Sequence, residues 1–158
     1  MNTPNPTPYV LGASVGRPID ILLVEDSPSD VAMTVAAFRE GRIANDLHVV
    51  TDGNEALAYL RKQPPFTDTR RPDIVLLDLN LPKIDGREVL AELKEDDDLK
   101  DIPIVILTTS SAETDILRSY QLHANSYVTK PVGVDGFFAA IRSIEDFWLS
   151  VVRLPNRG

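Results

Sequence analysis

The sequence predicts an α/β fold, a doubly wound five-stranded parallel sheet with five helices, and three observations predict it. Ile74 to Leu77 is a run of β-formers with no polar member, the pattern of a short strand buried on both faces of a parallel sheet. Ile19 to Val24 reads as a second such strand, and both runs stop at carboxylates, Asp78 in one and Glu25-Asp26 in the other. Strand-like runs then alternate with helical patterns along the chain, which calls for right-handed crossovers within one sheet.

In chain order, residues 1–17 carry TPNPTP and GASVG, so prolines favour extended conformers, glycines loosen the chain, and a flexible leader is expected. The domain is expected over 18–153, with a short tail at 154–158. After the first strand Ser27 can cap a helix, Pro28 suits its first position and Asp30 its dipole. Val31, Val35 and Phe38 form the apolar stripe of that helix, with Ala32 and Ala36 alongside, up to Gly41. Leu47 to Val50 is a short strand near an edge, and a helix follows from about Gly53 to Lys62, ended by Pro64-Pro65. Past Asp78, Pro82 bars a helix until Asp85, which with Glu88 gives a cap-and-N3 pattern, and Val89, Leu90 and Leu93 turn inward. The acid run Glu95 to Asp98 lacks the alternation and central glycine of a calcium loop and reads as solvated.

Pro103 to Leu107 is the next strand, ending in Thr108, and Ser110 with Glu113 forms a capping box for a further helix. Ser126 to Val128 is the last strand, closed by Thr129, Lys130 and Pro131. The final, extended helix runs from about Asp135 to Arg153. Phe137, Ile141, Ile144, Trp148 and Val151 make one stripe, while Phe138, Phe147 and Val152 lie off it. Two readings stay open for Phe147 and Trp148: they roof the core, or they meet a second subunit to make a homodimer. The flavodoxin-like strand order 2-1-3-4-5 is the natural arrangement of these elements.

Composition narrows the function. A net charge of −8 and a pI near 4.7 repel nucleic acid and anionic membrane. With no cysteine, disulfides and thiolate zinc sites are excluded, in keeping with a reducing cytoplasm. No basic-then-apolar leader and no membrane-length apolar run occur, so a soluble cytoplasmic protein with no membrane partner is expected.

In the order 2-1-3-4-5 the first and third strands are neighbours, so Glu25, Asp26 and Asp78 meet at the switch point where ligands bind in open α/β sheets. Three close carboxylates repel one another unless a cation holds them, and oxygen ligands select a hard ion such as Mg²⁺. The backbone carbonyl of Asn80 could add a ligand. Thr108 and Lys130 arrive at the rim, where a hydroxyl and an ammonium can meet the oxygens of a transferring phosphoryl group. Asp78 is then an in-line carboxylate nucleophile, and an acyl phosphate is its product.

These residues, Glu25-Asp26, the segment from Asp78 to Gly86 with Pro82, Thr108, and Lys130-Pro131, strongly resemble the receiver domains of two-component response regulators from about Ile19 to Ile144. The resemblance implies phosphorylation of Asp78 by a histidine kinase, Mg²⁺ on Asp26 with Glu25 assisting, and sensing of the phosphoryl group by Lys130 and Thr108. It makes Tyr127 the aromatic switch residue that turns inward as Thr108 moves, and the Lys130-Pro131 bond a cis candidate. It places kinase docking at the first helix, near Val31 and Met33, and near Pro131. The segment TTSSAETDILRSYQLHANSYVTKP, with FWL near the end, looks like the single-domain regulators that partner bacterial phytochrome kinases. A phosphotransfer protein is a further partner the resemblance allows.

Two other classes compete. A phosphatase using an aspartyl phosphate needs a second aspartate two residues on as general acid, and that position holds Asn80, so the chain is not expected to be an enzyme. A scaffold that dimerises through its last helix without phosphorylation would leave the acidic site without a use.

Overall fold

β-Branched and leucine-rich runs with no polar face must be covered on both sides, and the chain meets that demand by winding helices over both faces of one sheet. The computed structural model describes residues 18–41, 43–108, 126–129 and 134–151. The strands are β1 (Ile19–Val24), β2 (Asn45–Val50), β3 (Ile74–Asp78), β4 (Ile104–Thr108) and β5 (Ser126–Thr129). The helices described are α1 (Pro28–Arg39), α2 (Gly53–Leu60), α3 (Gly86–Glu95) and α4 (Val134–Val151). All strand pairs are parallel, in the order β2-β1-β3-β4-β5. The helix expected after Ser110, the leader and the tail lie outside the described residues.

The sheet divides the core in two. Leu22, Val24, Val75, Leu77, Ile104 and Ile106 pack on one side with Leu57 and Leu60 of α2 and Val89, Leu90 and Leu93 of α3. Ile21, Leu23, Ile74, Leu76, Val105 and Leu107 pack on the other with Ala37 and Phe38 of α1 and Ile141 and Ile144 of α4. Every residue of β3 is buried, so alternate positions feed opposite layers.

Several local expectations are corrected. β2 begins at Asn45 rather than Leu47, because the Asn45 amide donates to the carbonyls of Ile43 at 2.9 Å and Phe38 at 3.2 Å and steers the chain into register beside Ile19. On α1 the buried positions are Thr34, Ala37 and Phe38, whereas Ala32 and Ala36 face solvent. Thr34 can sit inside because its hydroxyl donates to the Asp30 carbonyl at 2.7 Å. α2 stops at Leu60, two residues short of Lys62, in a Schellman turn. Lys62 takes φ 55°, its N–H bonds the Tyr59 carbonyl at 3.2 Å, and the Gln63 N–H bonds that of Ala58 at 2.9 Å. The stop thus precedes the prolines.

Asp85 opens α3 without a side-chain cap, because its carboxylate is taken by Arg87 Nη1 at 2.9 Å. β4 runs from Ile104 to Thr108, with Pro103 contributing only its carbonyl to the Val75 N–H at 2.9 Å. On α4, Phe138 packs against the second layer although it was expected off the stripe. Glu145 is buried beside Ile144, and its Oε2 accepts the Ile43 N–H at 3.3 Å. Gly41 makes this possible, since a Cβ there would overlap the Glu145 carboxylate. No helix among the described residues is long and apolar enough to cross a membrane.

Candidate phosphoacceptor and metal site

The carboxyl edge of the sheet is built by two strands that end in step. Val24 lies opposite Leu77 in the β1–β3 ladder, so Glu25 and Asp26 leave the sheet beside Asp78. The ladders run one residue further: the Glu25 N–H bonds the Val50 carbonyl at 3.0 Å and the Leu79 N–H bonds that of Leu107 at 3.1 Å. One carboxylate oxygen from each of Glu25, Asp26 and Asp78 lies within 4.8 Å of the others. Glu25 is 1% exposed and Asp78 2%, while Asp26 faces solvent, so two acids are held by the core and one stands at the opening.

Backbone donors aim the buried pair. Glu25 Oε1 accepts the Ser27 N–H at 3.2 Å, and Ser27 Oγ in turn caps α1 through the Asp30 N–H at 3.3 Å. Asp78 Oδ1 accepts the Asn80 N–H at 3.1 Å. These bonds fix the oxygens at the base of the crevice, where the three acids stand close together. Opposite ligands of an octahedral Mg²⁺ stand about 4.2 Å apart, so an all-oxygen cluster of this breadth fits a small divalent ion that keeps some of its waters. Asp26, Asp78 and the Asn80 carbonyl are the groups that would hold it, with Glu25 assisting. Bound there, the ion would neutralise phosphoryl oxygens facing Asp78.

The loop after Asp78 is packed tightly against the strand it leaves. Leu79 is fully buried, and its carbonyl accepts the Gly86 N–H at 3.0 Å. A Cβ on Gly86 would stand 2.5 Å from the Asp78 carbonyl oxygen and 2.7 Å from Leu79 Cα. Gly86 is therefore required by the close approach of α3 to the Asp78 backbone, a role that a glycine after an N-cap acid does not announce.

Two further residues went unnoticed in the sequence. Asp52, at the end of β2, caps α2 by accepting the Glu55 N–H on Oδ1 at 2.8 Å, and Lys83 Nζ reaches its Oδ2 at 3.3 Å. Burial pushes the Asp52 carboxyl upward, but the Glu55 N–H and Lys83 outweigh it and hold the group below its ordinary value. Lys83 itself takes φ 68°.

Thr108 ends β4 next to β3, and the β4–β5 ladder sets it opposite Thr129. The side chains of Thr108, Tyr127, Phe147 and Trp148 lie outside what the structure describes, as do Lys130 and Pro131 altogether. The three acids are thus brought together, and the backbones that carry Thr108 and lead to Lys130 run along the same edge.

Residues 21–142 match the family model described as the response regulator receiver domain. Over 135 residues the chain is 47% identical to response regulator Rcp1 of Synechocystis sp., an alignment covering 85% of this chain and 92% of that protein. The crystal structure of the phosphorylated cyanobacterial phytochrome response regulator RcpA superposes with a TM-score of 0.79 at 46% identity, covering 86% of this chain and 97% of that one. The Mn²⁺-bound form of Rcp1 gives a TM-score of 0.77 at 47% identity, covering 85% and 97%.

Proposed function

This chain belongs to the response regulator receiver domain family of two-component signalling, and from that premise we propose that Asp78 accepts a phosphoryl group from a histidine kinase in a Mg²⁺-dependent reaction. The observation that carries the proposal is the convergence of Glu25, Asp26 and Asp78 within 4.8 Å at the carboxyl edge of β1 and β3. An Asp78 carboxylate oxygen attacks phosphorus in line, the phosphorus–nitrogen bond of a phosphohistidine breaks, and the electron pair leaves with the imidazole. Asp78 is suited to this, because the Asn80 N–H at the base of the loop orients its Oδ1.

Thr108 and Lys130 are read as the hydroxyl and ammonium that receive the remaining phosphoryl oxygens, with Tyr127 responding to Thr108. Asn80, two residues after Asp78, supplies no general acid, which supports a phosphoacceptor that signals through protein contacts and not an enzyme that turns over substrate. The names of the relatives, phytochrome response regulators among them, support a phytochrome-type kinase as the donor, and a cysteine-free chain is in keeping with a reducing cytoplasm. Val31 and Met33, half-buried on α1, are read as part of the kinase-docking face. A homodimer through α4 with Phe147 and Trp148 at its seam, and onward transfer to a phosphotransfer protein, complete the reading.

The test is phosphotransfer from purified phytochrome-type histidine kinases with ATP and Mg²⁺. A hydroxylamine-sensitive label should appear on the wild type and vanish with Asp78→Asn or without the metal. Label that persists on Asp78→Asn would overturn the assignment.

A further inference from the structure

We propose that Lys83 and Asp52 form a latch that positions the phosphoacceptor loop, residues 79–85, for the metal, an inference that rests on reading the acidic crevice as a Mg²⁺ site. The loop is anchored at both ends, by buried Leu79 and by Gly86 against the Asp78 carbonyl, and it must hold Asn80 steady between them. Two anchors at the ends do not fix the middle of a loop this long. The middle is fixed from the neighbouring turn, where β2 gives way to α2.

There the contacts are mutual. Gly53 allows it, since a Cβ would stand 2.7 Å from the Ile84 carbonyl oxygen and 2.8 Å from Val89 Cγ2. Asp52 divides its carboxylate, one oxygen capping α2 at 2.8 Å and the other holding Lys83 Nζ at 3.3 Å. Lys83 accepts a left-handed backbone, φ 68°, at a position where glycine would cost nothing. A lysine kept there at a conformational cost, with its ammonium on a largely buried acid, serves better as a tether than as a turn residue. Ile84 and Leu81 pack beneath it against the first core layer, so the tether closes the loop over an apolar floor. Lys83 and Asp52 are positioning residues: they act on the metal through the loop and touch no reacting atom.

The pair can be separated from simple charge effects because its members have opposite sign. If each acted on the crevice only through its field, Lys83→Met would tighten Mg²⁺ binding and Asp52→Asn would weaken it. A latch requires that both weaken it. Asn at 52 keeps the cap, since its carbonyl oxygen can accept the Glu55 N–H, so Asp52→Asn removes the tether and spares α2. Calorimetric titration with Mg²⁺ at fixed ionic strength should show each single variant about threefold weaker, the double variant no weaker than either, and Lys83→Arg restored to wild type. Amide exchange at Leu81 and Gly86, measured without metal, should quicken by a similar factor in both single variants. Opposite signs in the titration, additive losses, or unchanged exchange would overturn the latch. The exchange arm needs no ion, so a wild type without Mg²⁺ affinity would overturn the reading of the crevice separately.

Discussion

The hydrogen at Gly86 sets how near α3 can come to Asp78. A methyl group would press on the Asp78 carbonyl and on Leu79 Cα, both backbone atoms that cannot swing aside. Gly86→Ala should therefore lower stability by about 1–3 kcal/mol, seen as a lower urea midpoint with an unchanged slope. Asp52 carries the pH dependence at this scale. Its carboxyl is depressed in the folded chain, so its stabilisation is complete above the unfolded value, about 4, and is lost as pH falls through the folded one. Asp52→Asn should flatten the acid limb of a denaturation profile below about pH 4 and leave the neutral region nearly level. Asp78, Glu25 and Asp26 were legible in the sequence because each ends a strand whose apolar run is unmistakable. Glu145 and the Lys83–Asp52 pair were not, because their partners lie far along the chain: 102 residues separate Glu145 from the Ile43 N–H it accepts. Periodicity gives a residue its face, and it does not say which loop that face will meet.

Among elements, depth in the sheet decides what a substitution costs. β3 is buried at every position and paired on both sides, whereas β2 stands at an edge with Val49 38% exposed. Leu76→Ala should cost about 2–5 kcal/mol by chemical denaturation, and Val49→Ala should stay within about 0.5 kcal/mol. The seam of α1 and α4 has a polar clasp, Glu145 on the Ile43 N–H, so Glu145→Ala should cost about 1–3 kcal/mol by leaving a buried donor unmet. Strand identity was readable because two-sided burial removes polar residues from the run. Helix faces were less so: alanines do not declare a side, and Thr34 rather than Ala36 went inward because a hydroxyl can bond its own helix. The end of α2 is hidden from sequence for a related reason, since a left-handed lysine closes the helix before either proline can.

For the whole molecule, the acidic crevice at one edge of the sheet, read as a Mg²⁺ site, predicts that folding responds to the ion. Mg²⁺ in hundredfold excess over its dissociation constant should raise stability by about 2.7 kcal/mol, and chelation should reverse the gain in a thermal melt. Asp78→Asn should shrink the gain. The parity of β3 has one more consequence. Val75 and Leu77 belong to one apolar layer, Ile74 and Leu76 to the other. Losing one residue between Ile74 and Asp78 would trade the two sets across the sheet and turn Asp78 away from Glu25 and Asp26. Descendants of this chain can thus grow or shrink only where it bends, for instance in the nine residues from Gln63 to Arg71, while the spacing within β3 is held as rigidly as a reading frame.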